Sequence, residues 1–383
     1  MKRSTDRILT THTGSLPRPP DLLAMMQART RGEAVDAGAL AELVRSSVAK
    51  IVQQQAENGI DIAGDGELSK PSFNTYLVNR LEGFGGNDTS GVGGLAFGDW
   101  EDFPEWANDR PRNTAYVTRP MCIAPLGWKD MSAVDADIAN LKNAASGAGV
   151  TEAFMTTASI GTVAYTFANR YYPSDEAYCY ALADVLKAEY KAIADAGFVV
   201  QIDAPDHAMG RHQGFRNASL EEFRKAVTVR VEALNHALEG IPPEQVRYHI
   251  CWGNYEGPHT RDVPLRDIVD LMLQVNAGAY SVEAANPRHS HEWQVWQDVK
   301  LPEGQVLIPG VIDSCTSYVE HPEVVAQRLE QYARLVGREN VIAGTDCGFG
   351  TFAGGNRVHP SIMWAKFRAM ADGARLASQR LWR

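Results

Sequence analysis

The sequence has 383 residues, with 44% hydrophobic and 22% charged side chains and a formal net charge of −10. It has the composition of an ordinary globular protein and no apolar run near the ~18 residues that span a bilayer. The negative charge, without a Lys/Arg cluster, gives no electrostatic basis for binding nucleic acid. Because the first residues lack the apolar core of a signal peptide, we expect a cytoplasmic protein without nucleic-acid or membrane partners.

Short β-rich segments alternate with helical patterns along the chain. Near the N-terminus, RILTTHTGS and GIDIAGDGE flank AGALAELVRSSVAKIVQQQAENG, whose apolar residues recur at helical spacing. Six more β-rich segments follow from residue 150, namely TEAFMTTAS, GFVVQIDAP, VRYHICWGN, GAYSVEAAN, QVLIPGVID and NVIAGTDCG. Helices are predicted after them at 176–195, 219–238, 265–276, about 291–299, 322–336 and 360–380. This alternation is typical of βα units in a parallel sheet.

Eight strands with intervening helices favour an α/β protein that closes into a (β/α)₈ TIM barrel, which leaves no sheet edge exposed. An open doubly wound sheet is the alternative. It loses support because no GxGxxG opens a helix after the first strand and no GxxxxGK[ST] occurs. We predict a single catalytic barrel domain over residues 1–383. Residues 68–130 break the βα rhythm and are expected to form an inserted loop and hairpin at the C-terminal face.

Metal-binding side chains lie at three predicted strand ends, which converge on one mouth in a barrel. His249 and Cys251, in YHICWG, are two residues apart on a strand, so both side chains point the same way. Glu283 in SVEAAN and Cys347 in GTDCGFG add a carboxylate and a second thiol. These N, S and O donors suit tetrahedral Zn²⁺. The alternative is that the cysteines are small buried hydrophobes and the histidine belongs to the core.

This ligand set indicates a particular chemistry. Two thiolates and a carboxylate leave a zinc centre with a net negative charge, which suits it poorly to activating water. It is better suited to deprotonating an incoming thiol and keeping the sulfur nucleophilic. We therefore predict alkylation of a thiol, with Glu283 as the ligand that a substrate sulfur displaces most easily.

The chain resembles the catalytic C-terminal half of cobalamin-independent methionine synthase, its single-barrel relatives and the epoxyalkane:coenzyme M transferases. The resemblance runs through TTHTGSLPRP, DGELSK, QIDAPD, HICWGN, SVEAAN, PGVIDS and GTDCGFGT. It implies a zinc-dependent methyltransferase acting on homocysteine or a similar small thiol, with the family's zinc ligands on the four residues named above. It also implies that Gly14 and Ser15 bind the homocysteine carboxylate, and that Glu67 and Asp203 bind its ammonium group.

Three departures from the family pattern concern the identity of the methyl donor and of the residue that acts as general acid. The full-length synthase has a second, N-terminal barrel without a counterpart in this sequence, so folate is not implied as the donor. Cys315 stands where the family has a histidine thought to protonate the leaving amine, and Ala204 replaces a carboxylate beside the substrate. We therefore name His207 and Asp313 as candidate catalytic residues, with packing in the loop as the alternative for His207.

Two other functions stay open. An epoxide-opening transferase using coenzyme M would need cations for the sulfonate, and Arg18 and Lys70 lie near the relevant strands. A zinc-stabilised binding module without turnover would have a closed, saturated zinc site. The sequence does not reveal the alkyl donor, the physiological thiol or the oligomeric state.

Overall fold

The structure is a computed structural model that describes residues 1–88, 98–109 and 120–383. Strands β1 to β10 are, in chain order, Leu9–Thr10, Ile62–Gly64, Leu81–Gly85, Met121–Trp128, Glu152–Ala158, Val199–Asp203, Val246–His249, Ala279–Val282, Val306–Ile312 and Ile342–Thr345. Helices α1 to α13 are Pro20–Thr30, Ala37–Glu57, Tyr76–Arg80, Asp99–Asp102, Pro104–Asn108, Ser132–Ala148, Ile160–Thr166, Asp175–Asp195, Leu220–Ala237, Val269–Met272, Val295–Asp298, Pro322–Val336 and Pro360–Leu381.

The predicted barrel is confirmed. An eight-stranded sheet has the order β1-β10-β9-β8-β7-β6-β5-β2, and each neighbouring pair is parallel. A parallel bridge between Thr11 and Ile62 joins the two ends of this order and closes the sheet. All eight strands lie within the segments that the sequence predicts. Because the strands are parallel, their carboxyl ends meet at one mouth.

Five of the long helices, α2, α8, α9, α12 and α13, agree with the sequence prediction, whereas α6 and the short helices differ. Helix α12 has the predicted bounds, but only α10 and a 3-10 turn form within the predicted helix 265–276. Residues 250–264 follow β7 as a loop. Helix α6 was not predicted, although Val134, Ile138 and Leu141 recur at helical spacing. No helix within the described ranges is long and apolar enough to cross a membrane. A cytoplasmic location stays a prediction.

The predicted insertion is described only in part, because residues 89–97 and 110–119 lie outside the described ranges. Strands β3 and β4 pair antiparallel as a hairpin. This hairpin packs beside the barrel: the Trp128 indole donates to the Val185 carbonyl of α8 at 2.6 Å. Residues 98–109 contact the loop after β7, where the backbone amides of His259 and Thr260 donate to Asp99. That residues 1–383 form a single domain stays a prediction.

One charged side chain lies in the apolar interior of the barrel. Seven of the strands contribute apolar side chains to this level, namely Leu9, Ile62, Phe154, Val199, Ala279, Val306, Ile308 and Ile342. Strand β7 contributes Arg247, which is buried with its guanidinium 3.8 Å from the Phe154 ring centroid. The guanidinium donates to the Gln201 amide oxygen, the Thr11 hydroxyl and the His12 carbonyl at 2.5, 2.9 and 2.6 Å. Arg247 therefore joins β1, β6 and β7 directly below the mouth.

We predict that Arg247→Leu lowers the free energy of unfolding by about 3 kcal/mol or more, because three buried acceptors lose their donor. Urea denaturation measures the change. Arg334→Leu on α12 is the control, since Arg334 is 70% exposed and its ion pair should contribute under about 0.5 kcal/mol. Equal stability of the two variants would contradict the role assigned to Arg247.

Candidate active site

A cavity of about 2420 Å³ opens at the carboxyl ends of the strands. Its lining includes six of the residues predicted from the sequence, namely Ser15, Glu67, Asp203, His249, Cys251 and Cys347. The six come from the ends of five strands. The cavity extends past them to residues of α1, α2 and α6, such as Met26, Leu40 and Ala133. It is larger than the ~300–1,000 Å³ of a typical small-molecule site, so it has room for more than a small thiol.

Three potential metal ligands meet at one wall of this cavity. The ligand atoms of His249, Cys251 and Cys347 all lie within 4.8 Å of one another. Both thiols are free, and their Sγ atoms are 3.8 Å apart. Two sulfur ligands bound at ~2.3 Å to a tetrahedral ion would be about 3.8 Å apart. The geometry of these side chains therefore fits a single thiophilic metal ion.

His249 has the protonation state and orientation of a metal ligand. It is buried, and burial lowers its pKa to about 3, so the imidazole is neutral at physiological pH. Its Nδ1 is hydrogen-bonded to the Ser281 hydroxyl at 3.2 Å. Its Nε2 is buried and has no hydrogen-bond partner among the described residues. Metal-binding histidines typically have one ring nitrogen hydrogen-bonded to the protein, while the other ring nitrogen binds the ion.

Glu283 lies beside the cluster but is not one of its three members. Its carboxylate accepts hydrogen bonds from the Trp252 backbone amide at 2.9 Å and from the Asn286 side chain at 2.8 Å. Burial and the neighbouring Cys251 raise the pKa of this carboxyl group well above its usual range. Coordination by Glu283 stays a prediction.

Glu67 reaches the cavity from a strained backbone. It has φ +57°, which is uncommon outside glycine and is a type of strain often found at functional sites. Its Oε1 accepts from the Thr156 hydroxyl at 3.0 Å. Its Oε2 is buried without a hydrogen-bond partner in the described part of the chain. This free carboxylate oxygen in the cavity wall can accept a hydrogen bond from a ligand.

Asp203 is oriented by residues of the barrel interior. The Gln201 amide donates to Asp203 Oδ1 at 2.6 Å, and Gln201 itself accepts from Arg247. Burial, followed by the negative charge of Glu67, raises the pKa of Asp203 well above its usual range. Burial also raises the pKa of Glu67. Two buried carboxyl groups that interact in this way favour the binding of a cation.

In the loop after β1, Ser15 lines the cavity, whereas the Gly14 amide is hydrogen-bonded within the loop. Gly14 has φ +137°, and a Cβ there would lie 2.4 Å from the Thr156 side chain, so the turn requires glycine. Its N–H donates to His12 Nδ1 at 3.2 Å, and the other His12 nitrogen contacts the Gln55 amide oxygen. Gly14 therefore shapes the loop, whereas Ser15 lines the cavity.

The two predicted catalytic residues have contacts that fit structural roles, and neither is among the described residues lining the cavity. The His207 ring nitrogens contact the Tyr248 hydroxyl at 2.8 Å and the Ile268 carbonyl at 3.4 Å. The Asp313 carboxylate accepts from the backbone amides of Cys315 and Thr316 in its own loop. Their contacts give no support for a part in the reaction, and a catalytic role for either residue stays a prediction.

The two cations considered for a sulfonate bind backbone carbonyl groups instead. Arg18 donates to the carbonyls of Glu67 and Lys70 at 2.8 Å, and also to that of Gly350. Lys70 donates to the Thr156 carbonyl at 2.6 Å. Both side chains are buried and lie outside the described cavity lining. Their contacts hold the first two loops together.

The site also contains supporting residues that the sequence analysis missed, namely Thr156, Gln201, Ser281, Asn286 and Asp346. Gln201 and Ser281 each lie two residues before a predicted site residue on the same strand, so strand periodicity could have identified them. Asp346 directly precedes Cys347. Its carboxylate accepts from the backbone amides of residues 284–286 at 2.8 Å each.

Comparisons with known proteins agree with this architecture. The family model described as "Cobalamin-independent synthase, Catalytic domain" matches residues 160–363, which is more than half of the chain. A methionine synthase of Thermococcus kodakarensis is 26% identical over 340 residues, covering 88% of this chain and 84% of that protein. One from Saccharolobus solfataricus is 22% identical and covers 98% and 96% of the two chains.

A solved structure has the same fold. It is a B12-independent methionine synthase from a Shewanella species in complex with selenomethionine. The two structures superpose with a TM-score of 0.73 at 20% identity, covering 98% of this chain and 99% of that one. At this identity the similarity supports the (β/α)₈ barrel and not the activity.

We predict that the purified protein binds about one thiophilic divalent ion per chain. Replacing either cluster thiol, as Cys251→Ser or Cys347→Ser, should weaken the affinity by more than about a hundredfold, since even changes beside metal ligands cost tenfold to a hundredfold. Titration with Co²⁺, whose thiolate bands report sulfur ligands, followed by Zn²⁺ competition, measures this affinity. Cys179→Ala on α8 should leave it unchanged. Full occupancy in both serine variants would show that the cluster is not the site.

Proposed function

The chain belongs to the catalytic-domain family of the cobalamin-independent synthases, and we propose on this basis that it is a zinc-dependent methyltransferase that alkylates the sulfur of homocysteine or a similar small thiol. One observation carries the proposal: a His/Cys/Cys cluster and two buried carboxyl groups line the same cavity. The first group suits a sulfur atom, and the second suits an ammonium group. Homocysteine carries both.

Zinc fits the donor set better than a harder ion, because thiolates and a neutral imidazole are the ligands it prefers. His249, Cys251 and Cys347 would hold it, with Glu283 as a weaker fourth ligand. When bound, zinc would lower the pKa of a substrate thiol, so that the thiolate forms at neutral pH. The Gly253 amide donates to Cys251 Sγ at 3.2 Å and would stabilise the negative charge on that sulfur.

The residues around the cluster would bind the amino-acid end of the thiol. The free oxygen of Glu67 and the carboxylate of Asp203 would accept hydrogen bonds from the ammonium group. Ser15, on the neighbouring loop after β1, would donate to the substrate carboxylate. The space near α1, α2 and α6 would admit the methyl donor, whose identity the geometry does not select.

The geometry gives less support to the two alternatives. A sulfonate thiol such as coenzyme M needs a cation, but Arg18 and Lys70 are held by backbone carbonyls outside the cavity lining. Among the arginines that do line the cavity, Arg80 is paired with Asp137 and Glu189, and Arg357 donates to the Asn254 carbonyl. A purely structural zinc would be closed to solvent and saturated by four ligands. Here the three ligand residues line an open cavity.

Asp203→Asn provides the test of function. Removing the charge should weaken binding of L-homocysteine to the zinc-loaded protein by about tenfold to a hundredfold, equivalent to roughly 1.5–3 kcal/mol for a hydrogen bond to a charged group. Zinc content should stay the same. Binding of coenzyme M, which has no ammonium group, should stay weak and unaffected. Isothermal titration calorimetry measures both thiols. Tight coenzyme M binding with unchanged homocysteine affinity would overturn the proposal in favour of the epoxide-opening reaction.

The raised pKa of Asp203 predicts a pH dependence. The test uses L-methionine as the ligand, because its thioether does not titrate and the pH dependence then comes from the carboxyl pair alone. A carboxyl group with a raised pKa keeps its proton to higher pH, and only the ionised pair binds an ammonium group well. Affinity for methionine should therefore rise as the pH increases above the usual range of carboxyl titration, by up to about tenfold per unit where one proton is released.

The pH series is compared with Asp203→Asn, which should show a shallower dependence because one of the two titrating groups is missing. Calorimetry in buffers of different ionisation enthalpy counts the proton released. Affinity in the wild type that is flat or falls as pH rises would contradict the assignment of the carboxyl pair to the ammonium group.

A further inference from the structure

The Glu283 carboxylate has a hydrogen-bond donor on each oxygen. The Trp252 backbone amide donates to Oε1 at 2.9 Å, and the Asn286 side-chain amide donates to Oε2 at 2.8 Å. The carboxylate is buried beside Cys251 but is not a member of the His249, Cys251 and Cys347 cluster. These two donors favour a position at the edge of the metal centre.

The Asn286 side chain is itself held in place. Its amide nitrogen also donates to Asp346 Oδ2 at 3.1 Å, and its backbone amide donates to the same oxygen at 2.8 Å. Asp346 Oδ1 accepts from the backbone amides of Ala284 and Ala285. Because Asp346 precedes Cys347, these contacts fasten the loop that carries Glu283 to the strand that carries a cluster thiol. Asn286 therefore presents its donor from a fixed position.

The two ends of the Asn286 side chain have separate roles. The oxygen accepts from the backbone amides of Arg288 and His289 at 3.1 and 3.2 Å, which stabilises the turn after Glu283. The nitrogen faces the two carboxylates. A serine at this position can still accept from the turn, but it is too short to replace the donor to Glu283. The two roles can therefore be separated by mutation.

We propose that Asn286 is a positioning residue that holds the Glu283 carboxylate back from the metal, so that a substrate thiol reaches the ion without competing against a firmly bound carboxylate. This inference rests on the proposed function, since it requires a metal at the cluster. Asn286 is neither a cluster residue nor part of the described cavity lining, so it would act through Glu283. Loss of its donor leaves Oε2 of the carboxylate free to bind the ion, while the Trp252 amide still donates to Oε1.

Zinc affinity of Asn286→Ser tests the proposal, with Asn286→Ala as a second variant in case the first folds poorly. Both should bind zinc more tightly by roughly threefold to tenfold, as measured by competition with a chelator, because Glu283 loses a charge-assisted hydrogen bond that competes with coordination. Homocysteine should bind more weakly by a similar factor. A merely structural role would instead weaken zinc binding.

The increase in zinc affinity must depend on the Glu283 carboxylate. In a Glu283→Gln background, Asn286→Ser should no longer increase zinc affinity, because a neutral amide is a poor zinc ligand. Asn169→Ser is the matched control: the Asn169 oxygen accepts from the amides of Tyr171 and Tyr172 in a similar turn on another loop. This control should change neither affinity.

These measurements distinguish a failure of the role proposed for Asn286 from a failure of the proposed function. Wild-type protein that binds zinc and homocysteine, with unchanged or weaker zinc binding in both Asn286 variants, overturns the role of Asn286 alone. An increase in zinc affinity that persists in the Glu283→Gln background also overturns the role of Asn286. Wild-type protein that binds no zinc overturns the proposed function together with this inference.

Discussion

Alternate side chains of a closed parallel barrel point inward, and the site depends on this constraint. On β6 it brings Gln201 and then Asp203 toward the mouth, and on β7 it brings Arg247, then His249 and Cys251. Each inward row therefore begins in the apolar interior and ends at the cavity. A shift of one residue in the pairing of β6 with β7 would turn these polar groups toward the helices.

The polar interior has an energetic cost that hydrogen bonding offsets. Arg247 is buried among aliphatic and aromatic side chains, a position that is unfavourable for an unpaired charge. Each of its three guanidinium nitrogens donates a hydrogen bond, and Gln201, one of the acceptors, in turn orients Asp203. The same contacts that stabilise the barrel thus fix a carboxyl group of the candidate site. Rigid support of this kind keeps a binding geometry fixed before the ligand arrives.

The candidate site separates two kinds of chemistry within one cavity. The sulfur and imidazole ligands come from β7 and β10, whereas the carboxyl groups follow β2 and β6. In the proposed function, a small thiol with an ammonium group would contact both. Asp346 and Asn286 connect the two strand ends on the metal side, which couples the position of Glu283 to that of Cys347.

The sequence by itself determined the eight strands, the long helices other than α6 and the spacing that brings His249 and Cys251 together, because these features follow from local periodicity. It also predicted that Cys347 lies at the same mouth, since parallel strand ends must meet in a barrel, and the family resemblance added Glu67 and Asp203. Only the tertiary structure decided the contacts of the loops. It shows that Arg18 binds carbonyls, that the His207 nitrogens are engaged elsewhere and that Glu283 is held by Asn286. Such contacts depend on the conformation of irregular loops, in which no repeating pattern fixes the direction of a side chain.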